Sequence, residues 1–144
     1  MAALKRFGDA VWTGDLMSGK GNLSTPQSGL FAGQNYSFKT RFGEEKGTNP
    51  EELIAAAHAS CFTMALAFQL TGAGKPAESL DTSAVVSIEQ VEGGFKISSS
   101  ALTLKAKVPG LSKDEFMKLA ETAKANCPVS KVLNAAITLD ATLE

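Results

Sequence analysis

The stretch from Asn49 to Leu70 constrains the fold most, because it is the chain's best helix and is apolar on nearly every face. Asn49 is a good N-cap, Pro50 suits the first helical position, and Glu51 and Glu52 place negative charge at the positive end of the helix dipole. Gly72 and Gly74 supply the stop. From Leu53 to Leu70 the clearly polar side chains are His58, Ser60, Thr63 and Gln69, so no single apolar stripe can be drawn. At about 1.5 Å per residue the run is roughly 30 Å long. A chain of 144 residues has little material to cover such a rod on all sides, and a second copy is expected to complete the cover.

That length, with 44% hydrophobic and 20% charged residues, is natural for one domain spanning 1–144. The formal net charge of -1, without a basic cluster, argues against nucleic acid or an anionic membrane as the main partner. The opening residues Met1 to Asp9 lack the hydrophobic region of a signal peptide, and the helix contains a histidine, which makes it an unconvincing membrane span. A cytoplasmic protein is expected. In that compartment two cysteines point to reduced thiols, metal ligands or catalytic groups rather than to a structural staple.

Short strands are expected at Ala10 to Trp12 and Gly21 to Ser24. Tyr36, Phe38, Thr40 and Phe42 alternate with polar neighbours, the period of a strand with one buried face, which projects Arg41 away from the aromatic side. Gly43 to Gly47 is a charged loop. After the long helix, Ala84, Val86 and Ile88 alternate, and Glu92-Gly93-Gly94 signals a hairpin. Phe95 and Ile97 differ in parity from Leu102, Leu104, Ala106 and Val108, so a bulge is expected between Ser98 and Ala101. Ser112 to Glu115 is a capping box opening a helix through Ala125. Cys127-Pro128 restarts it as a short helix to Leu133, and Ile137, Leu139, Ala141 and Leu143 form a closing strand. The order predicts α+β with mostly antiparallel pairing.

Gly14 to Gly21 comes within one residue of a phosphate-binding loop, but Gly21 stands where magnesium needs Ser or Thr, and no helix follows. A plain turn is the better reading. His58 and Cys61, three apart on a helix, share a face, and a zinc site with Cys127 and Glu51 or Glu52 is conceivable. It has weak support without a Cys-x-x-Cys or a second histidine; the bland reading is a hydrogen-bonded helix histidine. The cysteines are the stronger clue. Cys61 sits among Ala and Ser, with room beside the sulfur, while Cys127 precedes Pro128 at a helix restart whose amides can stabilise a thiolate. On helix-dipole grounds Cys127 is the more acidic thiol. Spacing does not say whether the two meet.

Thr40-Arg41-Phe42, the run from Gly47 to Ile54, Ala57 to Phe62, and Cys127 to Leu133 together resemble the osmotically inducible protein C (OsmC) family, sister of the organic hydroperoxide resistance (Ohr) proteins. The likeness covers essentially the whole chain, least in its first thirty residues. It implies an OsmC/Ohr-like fold, with antiparallel sheets around a long central buried helix in an intertwined homodimer. It also implies a thiol peroxidase that reduces organic hydroperoxides, and hydrogen peroxide less well. Carried over by position, Cys61 matches the peroxidatic cysteine, Cys127 the resolving cysteine, and Arg41 and Glu51 the activating pair. A dithiol, such as a lipoyl-bearing protein, would reset the Cys61–Cys127 disulfide, with no metal or organic cofactor needed. Glu51 lies about 15 Å along the helix from Cys61, beyond a glutamate's reach. It would therefore act on its own sulfur only through Arg41, or serve the partner's site, and the second arrangement is expected. A non-catalytic redox switch and a zinc-binding module are the rival readings.

Overall fold

The computed structural model describes residues 1–144, which fall into two compact units, Met1–Pro50 and Glu51–Glu144, described separately below.

In the first unit, β1 (Asp9–Thr13), β2 (Lys20–Ser24) and β3 (Gln34–Tyr36) form an antiparallel three-stranded sheet in chain order. The Gly14 to Gly21 segment is the β1–β2 turn. Asp15 accepts hydrogen bonds from the amides of Met17 and Ser18, both 2.9 Å, so the amides that would cradle a phosphate already hold a carboxylate. Gly21 pairs with Trp12 on one side and Tyr36 on the other, and the two rings lie 5.7 Å apart. A Cβ there would come within 2.6 Å of the Tyr36 ring and 2.8 Å of Trp12, closer than real Cβ contacts. The glycine that spoiled the phosphate-loop pattern is thus required by two aromatic rings.

The strand expected over Tyr36 to Phe42 is corrected. It ends at Tyr36, and Phe38–Phe42 is a short helix, α1. Ser37, in extended conformation, accepts from the Thr40 amide at 3.1 Å, and the Thr40 hydroxyl accepts from the Ser37 amide at 2.8 Å. This reciprocal cap overrides the strand-like alternation. Phe38 and Phe42 then meet one turn apart, their rings 5.1 Å apart and tilted by 48°, and the Arg41 guanidinium lies 5.1 Å from the Phe42 ring centre. Arg41 therefore does not project away from the aromatic face as expected; it covers part of it.

The second unit is built on α2 (Pro50–Gly72), β4 (Ser79–Val91), β5 (Gly94–Lys107), α3 (Lys113–Asn126), α4 (Pro128–Val132) and β6 (Ala136–Leu143). α2 stops as its glycines require: Gly74, at φ +70°, lets the Lys75 amide turn back to the Leu70 carbonyl at 2.9 Å. β4 and β5 form the expected hairpin. Ser87 and Ile88 pair with Ser99 and Ile97, leaving Ser98 as the extra, bulged residue that brings Ile97 onto the face of Ser100 and Leu102. The β5–β6 pair is parallel, unlike the other three. The connection through α3 and α4 is long enough for the crossover a parallel pair needs.

Leu102, Leu104 and Ala106 of β5, Phe62, Leu66 and Leu70 of α2, and Phe116, Ala120 and Ala123 of α3 form the core, with Cys127 inside it. The α3 N-terminus carries the expected capping box between Ser112 and Glu115. By length and apolar composition α2 could cross a membrane. Its buried face is nevertheless shaped for protein, carrying His58 with Phe62, Leu66 and Leu70 at four-residue spacing. The opposite face is bare in the single chain, with Met64 76% and Phe68 75% exposed.

Candidate functional site

The second unit brings the two cysteines together. Cys61 projects from the middle of α2, and Cys127 ends α3 and opens α4, with Pro128 at the first position of the new helix. Cys61 packs against the core cluster that contains Cys127, close enough for each thiol to shift the other's titration. Cys127 is wholly buried, whereas Cys61 is only partly so.

Around them converge the first amides of α4. Cys127 stands at the N-cap of α4, so Val129 and Ser130 in its first turn are the residues whose polar groups act on the thiols. Burial is the first effect on Cys61 and pushes its thiol up; the hydrogen bond and charge of Cys127 add to the rise, and the Val129 amide offsets part of it. Burial also pushes Cys127 up, but the contact with Cys61 and the bonds from Ser130 and Val129 outweigh it, so this thiol ends lower than usual. Cys127 is therefore the lower of the pair, owing more to Cys61 than to any one group at the start of α4.

His58, one turn before Cys61 on α2, is completely buried. Its Nδ1 lies 2.6 Å from the Ser100 hydroxyl on β5 and its Nε2 2.8 Å from the Ser130 hydroxyl on α4. Both ring nitrogens are thus engaged by neutral hydroxyls, the arrangement of a hydrogen-bonded core histidine, and burial lowers its pKa. No group of three or more His, Cys, Asp or Glu side chains is placed to hold a metal ion.

Arg41 sits on α1 of the first unit, exposed at the surface, whereas Glu51 opens the second unit on α2 and is 7% exposed. The sequence reading missed Ser100 and Ser130. A signal for Ser100 was available, since it shares the inward parity of Leu102 and Leu104 yet is polar. Ser130, the third residue of α4, carried no comparable mark.

An OsmC-like protein family model matches residues 43–142. Peroxiredoxin OsmC of Escherichia coli strain K12 is 52% identical over 137 residues, 95% of each chain. An organic hydroperoxide resistance protein of Xanthomonas axonopodis pv. citri is 39% identical over 101 residues, 67% of each chain. The crystal structure of an organic hydroperoxide resistance protein OsmC from Legionella pneumophila superposes with a TM-score of 0.68 at 26% identity, covering 98% of this chain and 99% of that one. Matched over most of its length by the family model and by a relative of this identity, the chain belongs to the OsmC-like protein family.

Proposed function

We propose that this protein is a cysteine-dependent peroxidase that reduces organic hydroperoxides to alcohols in the cytosol. The observation that carries this reading is the meeting of Cys61 and Cys127 beside the α4 amides. The names peroxiredoxin and organic hydroperoxide resistance protein, borne by relatives, support it.

Accessibility supports a division of roles between the two cysteines. The two thiols titrate as a pair, so a thiolate on either can be reached by moving one proton between them. Only Cys61 has surface for a hydroperoxide to approach, and it attacks although Cys127 is the more acidic. Its thiolate takes the terminal hydroxyl oxygen of R–O–O–H; the O–O bond breaks, and the alkoxide leaves with a proton as the alcohol. Cys61 is then a sulfenic acid. The Cys127 sulfur displaces the sulfenic oxygen, which departs as water carrying the Cys127 proton, and a Cys61–Cys127 disulfide forms before further oxidation. Two thiol–disulfide exchanges with an external dithiol, a lipoyl-bearing protein being one candidate, restore the pair.

In this reading Arg41 steadies the Cys61 thiolate and the peroxide oxygen, and Glu51 anchors the guanidinium by a bidentate pair. The protein works as a homodimer whose sites draw on both copies. The uncovered Met64 and Phe68 face of α2 supports the dimer. Steady-state turnover of an alkyl hydroperoxide with excess dithiol tests the proposal on wild type, Cys61→Ser and Cys127→Ser. Repeated turnover is expected in wild type, no reaction without Cys61, and over-oxidation of Cys61 without Cys127. One equivalent consumed per site with dithiol still present would replace the peroxidase by a redox switch.

A further inference from the structure

We propose that His58, acting through Ser130, is a positioning residue for Cys127 in the step that closes the disulfide. The inference rests on the peroxidase reading, which gives His58 no part. Three elements converge to build the network: His58 from α2, Ser100 from β5 and Ser130 from α4, the first two with no exposed surface. The separations of 2.6 Å and 2.8 Å leave no space for an intervening water. Ser130 is the third residue of α4, one turn beyond Cys127 at its N-cap, and its hydroxyl is among the groups that lower the Cys127 thiol. His58 thus ties Ser100 on β5 to the first turn of α4, the turn that Cys127 opens beside Cys61.

The direction of these hydrogen bonds follows from proton counting. The Ser130 hydroxyl has one hydrogen, and it can give that hydrogen to the Cys127 sulfur only if its oxygen receives from His58 Nε2–H. Burial keeps the imidazole neutral, so Nδ1 then has a free lone pair and must accept from the Ser100 hydroxyl. All donors then point towards Cys127. As Cys127 attacks the Cys61 sulfenic acid, its S–H proton goes to the departing oxygen, the S–O bond breaks and the S–S bond forms. The Ser130 hydroxyl stabilises the Cys127 thiolate that is left as this proton departs and that makes the attack. The other titratable groups on α2 near the network are Cys61 and, two turns before His58 on the same buried stripe, Glu51; α4 adds the exposed Lys131.

The test separates this inference from the reading beneath it. In a Cys61→Ser background, the Cys127 thiolate is followed by its ultraviolet absorbance against pH. Ser130→Ala and His58→Leu are expected to raise the midpoint by about one pH unit, a tenfold loss of thiolate at fixed pH. Ser130→Thr, which keeps a hydroxyl, and His58→Gln, which keeps an N–H donor, should recover part of the shift; a purely structural histidine would show no such rescue. In the two-cysteine protein treated with one equivalent of alkyl hydroperoxide, a sulfenic-acid trap should capture Cys61 for roughly tenfold longer in Ser130→Ala than in wild type, following the same tenfold loss of thiolate. An unchanged midpoint and lifetime in a folded Ser130→Ala protein would overturn the inference alone. Absence of a trappable sulfenic acid at Cys61 even in Cys127→Ser would overturn the peroxidase reading instead.

Discussion

Cys61 on α2 packs beside the buried Cys127 at the α3–α4 junction, and the two thiols shift in opposite directions, Cys61 up and Cys127 down. Such a pair holds its first negative charge on Cys127 and makes the second ionisation costly. Replacing Cys127 by Ser removes the like charge and a hydrogen bond that raises Cys61. The Cys61 thiolate should then titrate at lower pH than in wild type, and the pH profile of its alkylation by iodoacetamide will show the shift. A profile that stays put or moves upward would mean that the two sulfurs do not share their protons.

His58 links the site to stability. Its pKa is lowered from 6.5 by burial, so the unfolded chain binds the proton more tightly than the folded one. The stabilisation is fully present above pH 6.5 and is lost as pH falls towards the depressed folded value. The Asp15 and Glu115 carboxylates, held below 3.8 and 4.5 chiefly by the hydroxyls of Ser18 and Ser112, lose their contributions only in more acidic solution. Between pH 7 and about pH 5 the Tm of wild type should therefore fall, and His58→Gln should flatten that slope. Calorimetric scans at several pH values check it; parallel curves for the two proteins would contradict it.

The long helix, the hairpin, the Ser112 cap and the bulge at Ser98 were legible because each is written locally, in caps, turn glycines and a change of parity. The Phe38–Phe42 helix was not. Residues four apart share a face in both a strand and a helix, so Phe38 and Phe42 fit either period, and the Ser37–Thr40 cap decided between them. The parallel direction of β6 was hidden for a similar reason, since alternation is the same whichever way a strand runs. At the site, Cys61 and Cys127 stood out by residue type, but their contact depends on how α2 and α3 pack. The His58 network needs three elements at once, and no window of sequence contains them.

The two capping boxes should separate fold from function. Ser112→Ala and Ser37→Ala each remove an N-cap that satisfies an otherwise orphaned amide, at a cost of about 1 kcal/mol. α3 has 14 residues and core contacts through Phe116, Ala120 and Ala123, so it should survive its loss with a modest fall in Tm and unchanged turnover. α1 has five residues, too few to persist in water without the cap, and it carries Arg41. Ser37→Ala should lower peroxide turnover as Arg41→Ala does, while Ser112→Ala should not. Equal turnover in both serine variants would take Arg41 out of the proposed site.

The exposed face of α2 offers the test of assembly. Ser60, Met64 and Phe68 recur every four residues, and each lies two positions before the buried Phe62, Leu66 or Leu70 in turn, about 200° around the helix. Such a stripe faces away from the core, and the open cleft beside it, with Ala56, Thr63 and Met64 on α2 and Leu80 and Thr82 on β4, gives it width. If this stripe is the proposed dimer interface, Met64→Glu with Phe68→Glu would force two charges into it, so sedimentation should show folded monomers for the variant and dimers for wild type. If each site also draws on both copies, those monomers lose peroxide turnover although Cys61 and Cys127 are untouched. Mixing Glu51→Ala with Cys61→Ser subunits then completes the argument. With shared sites, one site of each mixed dimer has lost both residues and the other has neither lost, so activity returns. With sites confined to one chain, every site lacks one residue, and a mixed dimer that forms but stays inactive would refute the shared arrangement.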